Sequence, residues 1–170
     1  MVDQFEIQGA DEVMRKLREL TPRLQKKELR AAARKSMNIV RDAARAKARQ
    51  VDDPATAENI AKNIVTQESA RRSRAVGGVV MRVGVRGGAK QYANTRENAR
   101  KGRAGKSYAT GGSKGNPGGD TWYWRLVEFG RNGARAQPFM RPAMNENTEA
   151  VTQRFATELS AGIDRVVAQL

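Results

Sequence analysis

The sequence predicts an α+β protein: an antiparallel sheet of three or four strands packed by a long N-terminal basic helix and a C-terminal helix, with a long basic loop. Three patterns favour this fold class. Residues 23–50 contain no glycine or proline, residues 79–85 place four apolar side chains on one face of a strand, and residues 151–170 repeat apolar side chains at helical spacing. The chain has 170 residues, enough for one domain of ordinary size, so we expect residues 1–170 to form a single domain.

The first elements are a short strand and two helices. Residues 4–8 alternate polar and apolar side chains, which is typical of a strand. Asp11 can cap a helix whose apolar residues recur every three or four positions, namely Val13, Met14, Leu17 and Leu20. Thr21 and Pro22 are suited to the N-cap and the first position of a second helix, which we expect to continue to about Gln50.

The second helix combines one apolar stripe with an excess of positive charge. The stripe consists of Leu29, Ala33, Met37, Val40, Ala44 and Ala48. The same helix contains only two acidic residues, Glu28 and Asp42, against ten basic ones. The basic residues are Arg23, Lys26, Lys27, Arg30, Arg34, Lys35, Arg41, Arg45, Lys47 and Arg49. Like charges four residues apart destabilise an isolated helix, and an anionic partner would offset that effect. We therefore expect Arg30, Arg34, Arg41 and Arg45 to contact DNA or an acidic neighbouring subunit; the alternative is a solvated face.

The next segment predicts a helical turn followed by two strands. Residues 59–67 favour a short helix that enters a strand, and residues 79–85 have the period of a half-buried strand. Gly77 and Gly78 precede the second strand and are typical of a hairpin turn. The two strands are therefore expected to pair antiparallel.

Residues 86–120 lack any hydrophobic period and are rich in glycine, lysine, arginine, asparagine and serine. A segment of this composition and length is usually functional or disordered. We expect a flexible basic arm that contacts DNA phosphates or an acidic neighbouring subunit through Arg96, Arg100, Lys101, Arg103 and Lys106. Phosphate contact of this kind is independent of sequence and sensitive to salt. An inert loop is the alternative. The glycine-rich stretches of this arm do not have the spacing of a phosphate-binding loop.

The aromatic segment that follows predicts a strand over at least residues 123–129, with Trp122 and Trp124 on one face. A small protein rarely buries both faces of such a strand, so Trp122, Trp124 and Phe129 are expected in the core or at a subunit interface. Glu128 lies between apolar residues and predicts a buried acid whose partner is Arg125 or Arg141.

A proline-rich segment predicts the start of the last helix. Pro138 and Pro142 fix its entry, with Pro142 near the first turn, and Phe139 anchors it in the core. The apolar stripe of this helix is formed by Val151, Phe155, Leu159, Ile163, Val166 and Leu170. Pro138, Phe139 and Pro142 are thus further candidates for the core or interface.

Composition argues against several classes of function. The chain contains no cysteine and no histidine, which excludes disulfides, thiolate nucleophiles and the usual zinc sites. Asp52, Asp53 and Asp120 do not have the spacing of a carboxylate cluster that binds a divalent metal, as a nuclease would require. No apolar run approaches the roughly 20 residues that span a bilayer, and the first residues are not typical of a signal peptide. We expect a soluble, non-enzymatic protein without cofactor or metal.

The net charge of +14 favours polyanionic partners. Two function classes remain open. One is a structural subunit that assembles around something negative. The other is a free cytoplasmic nucleic-acid-binding protein of ribosomal or chromatin type, for which tight, salt-dependent DNA binding by a monomer would be evidence.

Two motifs resemble a known family. The aromatic segment ends in Val127-Glu128-Phe129-Gly130, and after a short loop Pro138-Phe139-Met140-Arg141-Pro142-Ala143 leads into a helix. This order resembles the small tail-component proteins of lambdoid and related long-tailed bacteriophages, relatives of the minor tail protein Z group. Upstream, Thr56, Ile60 and Ile64 occupy comparable places in the family pattern, whereas Ala57 and Asn63 replace its Gly and Ser.

The resemblance implies a structural role in the virion. Such proteins are taken to be neck or tail-completion subunits at the head–tail junction or upper tail, assembling as a ring, sixfold in symmetry, around the DNA channel. The implied partners are further copies of the chain, the connector, tail terminator and tail tube proteins, and packaged double-stranded DNA through non-specific contact. The implied location is the virion, after synthesis in the host cytoplasm, with no membrane association.

Overall fold

The structure is a computed structural model that describes residues 10–52, 55, 58–86, 90–108 and 116–169. Its fold is α+β and mostly helical. In chain order the helices and strands are α1 (Ala10–Glu19), α2 (Pro22–Val51), α3 (Ile60–Asn63), β1 (Ile64–Glu68), α4 (Ala70–Ala75), β2 (Met81–Val85), β3 (Lys90–Gln91), α5 (Arg96–Arg100), β4 (Ser107–Tyr108), α6 (Trp124–Phe129), α7 (Met140–Asn145) and α8 (Thr148–Val167). The strand predicted at residues 4–8 lies outside the described residues.

The two predicted N-terminal helices are confirmed as α1 and α2, although Asp11, the predicted cap, lies in the first turn of α1. The buried row of α2 consists of Glu28, Ala32, Ser36, Val40, Ala44 and Ala48, one residue every four. The predicted stripe therefore agrees at its last three positions, whereas Leu29, Ala33 and Met37 are only half-buried. Small side chains along the buried row allow close packing; at Gly162 of α8, an added Cβ would lie 2.6 Å from the Glu28 carboxylate.

Contacts divide the chain into two compact units, and the first draws on residues 1–41, 66–83 and 144–170. Its core contains Leu17 and Leu20 of α1, Ala32 of α2, and Leu159 and Ile163 of α8. Phe155 and Val166 pack against this core while half-buried, as the predicted stripe of the last helix requires. Ion pairs of Lys16 with Asp164 (3.2 Å) and of Lys35 with Glu158 (2.6 Å) join the same helices.

The predicted helical turn and strand pair are confirmed as α3, β1 and β2. Arg86 N–H donates to the Asn63 carbonyl (2.7 Å) and Ser69 N–H donates to the Val80 carbonyl (2.8 Å), so the two strands run antiparallel. The connection between β1 and β2 is not the predicted tight turn alone, because α4 lies between β1 and the two glycines, Gly77 and Gly78. The buried Ser73 hydroxyl of α4 accepts the Val80 N–H (2.9 Å), which closes the connection by a side-chain contact that periodicity does not reveal.

The sheet is smaller than predicted. In the described part of the chain, the strands form two separate two-stranded sheets, β1–β2 and β3–β4, instead of one sheet of three or four strands. The antiparallel register of the second pairs Lys90 with Tyr108 and Gln91 with Ser107. The main reason for the difference is that the aromatic segment, expected as a strand, is the helix α6.

The expectation that residues 86–120 have no secondary structure is wrong for 90–108. Here β3 and β4 flank α5, whose N-cap Thr95 accepts the Asn98 N–H (3.2 Å). The Asn98 side chain donates to the Ala93 carbonyl (2.8 Å), and the Arg103 guanidinium lies 4.7 Å from the centre of the Tyr92 ring. Local hydrogen bonds and one cation–π contact hold this segment, and such interactions leave no hydrophobic period in the sequence.

The predicted last helix is two helices, α7 and α8, separated by a turn at residues 146–147. Pro142 is the third residue of α7, as expected for a proline in a first turn. Among the described helices, none is both long enough and apolar enough to cross a membrane.

Candidate subunit interface

A buried carboxylate organises the end of the aromatic segment within the second unit, which draws on residues 42–65 and 84–143. Glu128 is 1% exposed and accepts the backbone N–H groups of Phe139 (2.7 Å), Met140 (2.9 Å) and Arg141 (3.1 Å). The Arg141 guanidinium donates to the same carboxylate (3.2 Å) and to the Glu128 carbonyl (3.1 Å). Glu128 therefore caps α7, and the prediction of a buried acid partnered by Arg141 is confirmed.

The hydrogen bonds decide the ionisation of Glu128. Burial by itself would raise the pKa of this carboxyl group, because it disfavours the charged form. The backbone N–H groups of Met140, Phe139 and Arg141 outweigh burial and leave the pKa below its ordinary value. The Glu128 carboxylate is thus ionised, and it has a structural role as an acceptor of hydrogen bonds from residues 139–141.

The same carboxylate explains why the aromatic segment is helical. To place Glu128 at the N-terminal end of α7, the chain turns back after α6: the helix ends at Phe129 with Gly130 as its C-cap, and the Gln137 N–H donates to the Val127 carbonyl (2.8 Å). Gly130 has a φ of +76°, and an added Cβ would lie 2.9 Å from the Ala136 backbone nitrogen. The strand predicted for residues 123–129 is wrong because this tertiary capping contact overrides the strand preference of aromatic residues.

Two large aromatic side chains of this segment remain exposed. Trp122 is 43% and Phe129 is 62% exposed, whereas Trp124 is half-buried with the Arg125 guanidinium 5.4 Å from its ring centre. The Arg141 guanidinium lies 5.1 Å from the ring centre of Phe129. Exposed aromatics beside arginines are enriched at protein–protein interfaces.

An open groove of about 370 Å³ lies beside Trp122. It is lined by Val51, Trp122, Tyr123, Leu126, Val127, Arg131, Ala134, Arg135 and Gln137. The Tyr123 ring stands perpendicular to that of Trp122, with ring centres 6.2 Å apart, and its hydroxyl donates to Asp52 (3.3 Å). The groove is thus mostly apolar with two cations at its edge, and sequence analysis singled out neither Arg131 nor Arg135.

The proline-rich segment divides into an exposed and a buried part. Pro138 is exposed and Pro142 is half-buried. Phe139 is fully buried, as is Ala143 of α7. Of the six residues predicted for the core or interface, Phe139 therefore lies in the core, while Trp122, Phe129 and Pro138 offer surface to a partner.

Comparison with known protein families identifies the family of the chain. The model of the HK97-gp10-like family, described as "Bacteriophage HK97-gp10, putative tail-component", matches residues 11–130. The match begins in α1 and includes Trp122, Glu128 and Gly130. The chain belongs to the HK97-gp10-like family of phage tail components. No curated protein and no solved structure matches it.

Membership in the HK97-gp10-like family confirms the resemblance to phage tail components inferred from the sequence. The aromatic motif that ends at Gly130 lies inside the matched range, and the motif from Pro138 to Ala143 lies beyond it.

Within this family member, Asn63 replaces the serine of the expected pattern, and the structure defines what Asn63 does. Its fully buried side chain donates to the Gly119 carbonyl and the Thr121 hydroxyl, both at 2.9 Å. Its amide oxygen accepts the Gly118 N–H (2.8 Å). An added Cβ at Gly118 would lie 1.9 Å from the Asn59 carbonyl oxygen, so the backbones approach too closely for any other residue. The sequence carried no sign of this contact beyond the substitution itself.

The predicted DNA-contact residues of α2 differ in how far they are engaged inside the protein. Arg30 pairs with Glu68, and its hydrogen bond lowers the pKa of that carboxyl group. Arg45 is half-buried and donates twice to the Ile64 carbonyl (3.1 and 2.8 Å). Arg41 donates to Asn38 (3.0 Å). Arg34 is exposed, so of the four it is the best placed to meet a partner.

The predicted contacts of the basic segment show the same division. Arg96, Arg100 and Lys106 are exposed. Lys101 pairs with Glu97, and Arg103 is half-buried between Tyr92 and Asn98 (2.9 Å). The exposed Arg71, Arg72 and Arg74 of α4 form a further basic surface that sequence analysis did not single out. In the described part of the chain, no group of acidic side chains is arranged to hold a metal ion.

Proposed function

We propose that this chain is a non-catalytic structural subunit of a long-tailed phage virion, placed at the head–tail junction or upper tail. Membership in the HK97-gp10-like family carries the proposal. It is supported by the exposed side chains of Trp122 and Phe129, because aromatic residues are enriched where proteins bind one another.

The subunit assembles as a sixfold ring around the DNA channel. A ring repeats each basic surface about one axis, so that weak phosphate contacts add up, and the net charge of +14 favours such an arrangement. The partners of the ring are the connector, tail terminator and tail tube proteins, with non-specific contact to packaged double-stranded DNA. No small-molecule cofactor or metal takes part.

Deletion of the gene from its phage tests this role. The expected result is DNA-filled heads and separate or unfinished tails, with infectious particles restored when the protein is supplied from a plasmid. Mass spectrometry of purified wild-type virions should find the protein in tailed particles. Normal infectivity without the gene, or absence of the protein from virions, would contradict the proposal.

The high positive charge also favours a second candidate, a free cytoplasmic nucleic-acid-binding protein. Binding of a fluorescent DNA duplex, followed by anisotropy at several salt concentrations, separates the two. Tight binding by the monomer together with absence from virions would favour the second candidate. Weak binding by the monomer and stronger binding by the oligomer would favour the virion subunit.

A further inference from the structure

The groove beside Trp122 has a cationic edge that the described part of the chain leaves unneutralised. Arg131 and Arg135 are exposed, and neither guanidinium forms a hydrogen bond or ion pair with another described residue. Nearby arginines differ in this respect, since Arg141 is bound to Glu128 and Arg125 lies over Trp124. None of the described side chains that line the groove is acidic.

The chemistry of the groove defines the kind of occupant that fits. Val51, Leu126 and Val127 supply an apolar floor, and Trp122 extends that apolar surface. Trp and Arg are the residue types most often found at the energetic centre of protein interfaces. A peptide segment with apolar side chains for the floor and carboxylates for the two arginines would complement the groove.

One stretch of the chain outside the described residues has this composition. Residues 2–8 read Val-Asp-Gln-Phe-Glu-Ile-Gln and contain two carboxylates, three apolar side chains and no cation. By contrast, residues 109–115 contain a lysine and no acid, and residues 87–89 contain neither acid nor large apolar side chain. This composition complements a groove that has an apolar surface and two arginines at its edge.

We propose that the groove binds residues 2–8 of a neighbouring copy of this chain. Phe5 and Ile7 contact the apolar floor, and Asp3 and Glu6 pair with Arg131 and Arg135. This contact joins two different surfaces, which is the head-to-tail type that closes into a ring when the rotation between copies allows it. The inference therefore rests on the proposed function and names the contact that would hold the ring together.

Photo-crosslinking of the full-length protein tests the contact directly. Phe5→p-benzoylphenylalanine places a photoreactive group at the centre of the segment. Mixing ¹⁵N-labelled and unlabelled copies before irradiation distinguishes crosslinks between copies from crosslinks within one copy. The expected products join position 5 of one copy to residues lining the groove of another, above all Trp122, Leu126 or Val127.

A matched pair of double variants tests the charge contribution. Arg131→Gln with Arg135→Gln should weaken association between copies by roughly twofold to thirtyfold, the range for removing two exposed ion pairs. Arg71→Gln with Arg72→Gln removes the same charge from exposed arginines of α4 and should leave association unchanged. Circular dichroism of both variants should match that of the parent, because all four side chains are exposed.

Crosslinks that map to other surfaces, crosslinks within single copies only, or equal weakening by both double variants would each overturn the inference. If the protein forms rings but position 5 does not crosslink to the groove, this contact is wrong while the proposed function stands. If no oligomer forms at any concentration, the ring is overturned as well.

Discussion

The Glu128 carboxylate fixes the place at which the chain turns from α6 into α7. It accepts three consecutive backbone N–H groups and a guanidinium while almost fully buried. Because both its oxygen atoms are used, the residue cannot be replaced by its amide without placing donor against donor. This arrangement is structural, and it sets the positions of Phe129 on one side and Phe139 on the other.

Glu128→Gln should lower the free energy of unfolding by about 1–3 kcal/mol near neutral pH, because it leaves a buried backbone N–H without an acceptor. Urea unfolding of variant and parent measures the difference, with the exposed Glu149→Gln as a control that should change little. Equal stability of Glu128→Gln and parent would contradict the capping role.

The pH dependence of the same difference follows from the pKa of Glu128, which lies below its ordinary value of 4.5 in the folded protein. A group with a lowered folded pKa contributes stability that is fully present above its unfolded pKa and is lost as pH falls through the folded pKa. The stability gap between parent and Glu128→Gln should therefore be constant above about pH 5.5 and shrink on further acidification. A gap that grows in acid would contradict this ionisation.

Phe139→Ala should destabilise the protein by about 3–5 kcal/mol, since the ring is fully buried and its removal leaves a cavity. Phe129→Ala is the matched control, because that ring is 62% exposed, and it should cost less than about 1 kcal/mol. Thermal melts of both variants give the comparison. Similar melting temperatures for the two variants would contradict the burial of the Phe139 ring in the core.

At the scale of helices and strands, the elements with a clear apolar period followed from the sequence, and the elements held by specific side-chain contacts did not. The helix from Pro22 and the strand near Met81 have apolar patterns long enough to be recognised by period alone. The helix α6 lacks such a pattern. Its formation depends on hydrogen bonds between Glu128 and the backbone N–H groups of residues 139–141, which come more than ten positions later in the chain. Likewise α4 depends on Ser73, and the fold of residues 90–108 depends on Asn98 and Tyr92.

The candidate site was predictable in part for the same reason. Exposed aromatics and a buried acid with Arg141 as partner could be inferred from residue types and local sequence. The groove could not, because Val51 and Arg131 are brought to it from distant positions in the chain. The sequence does not distinguish the basic residues from one another. In the structure, Arg30 pairs with Glu68 and Arg45 donates to the Ile64 carbonyl, whereas Arg34 is exposed.

The backbone of Gly118 lies so close to that of Asn59 that we expect a side chain at position 118 to destabilise the fold. Gly118→Ala should destabilise by about 1–3 kcal/mol, because its Cβ would overlap the Asn59 carbonyl and force the backbone to move. Gly84→Ala is the control, since no atom outside its own chain neighbours lies within 4 Å of a Cβ there, and it should change stability by less than about 0.5 kcal/mol. Chemical denaturation distinguishes them; a neutral Gly118→Ala would mean that the two backbones are not in contact.

At the scale of the whole molecule, the positive charge predicts a salt-dependent DNA contact by the assembled protein. Arg96→Gln with Arg100→Gln, both exposed positions of α5, should reduce the slope of log affinity against log salt by up to about 2, one for each phosphate that is no longer neutralised. Arg154→Gln with Arg165→Gln removes equal charge from α8 and should leave the slope unchanged. Fluorescence anisotropy with a DNA duplex measures both slopes, and equal reductions would assign the effect to net charge alone.

Self-assembly is the property on which the proposed role most depends. The proposed sixfold ring would bring six basic surfaces to one axis and would cover aromatic side chains that are exposed in a single copy. Native mass spectrometry of the purified full-length protein measures the number of copies directly. We predict a dominant species with six times the mass of one chain; a spectrum containing only the monomer, at every concentration and low salt included, would contradict the account.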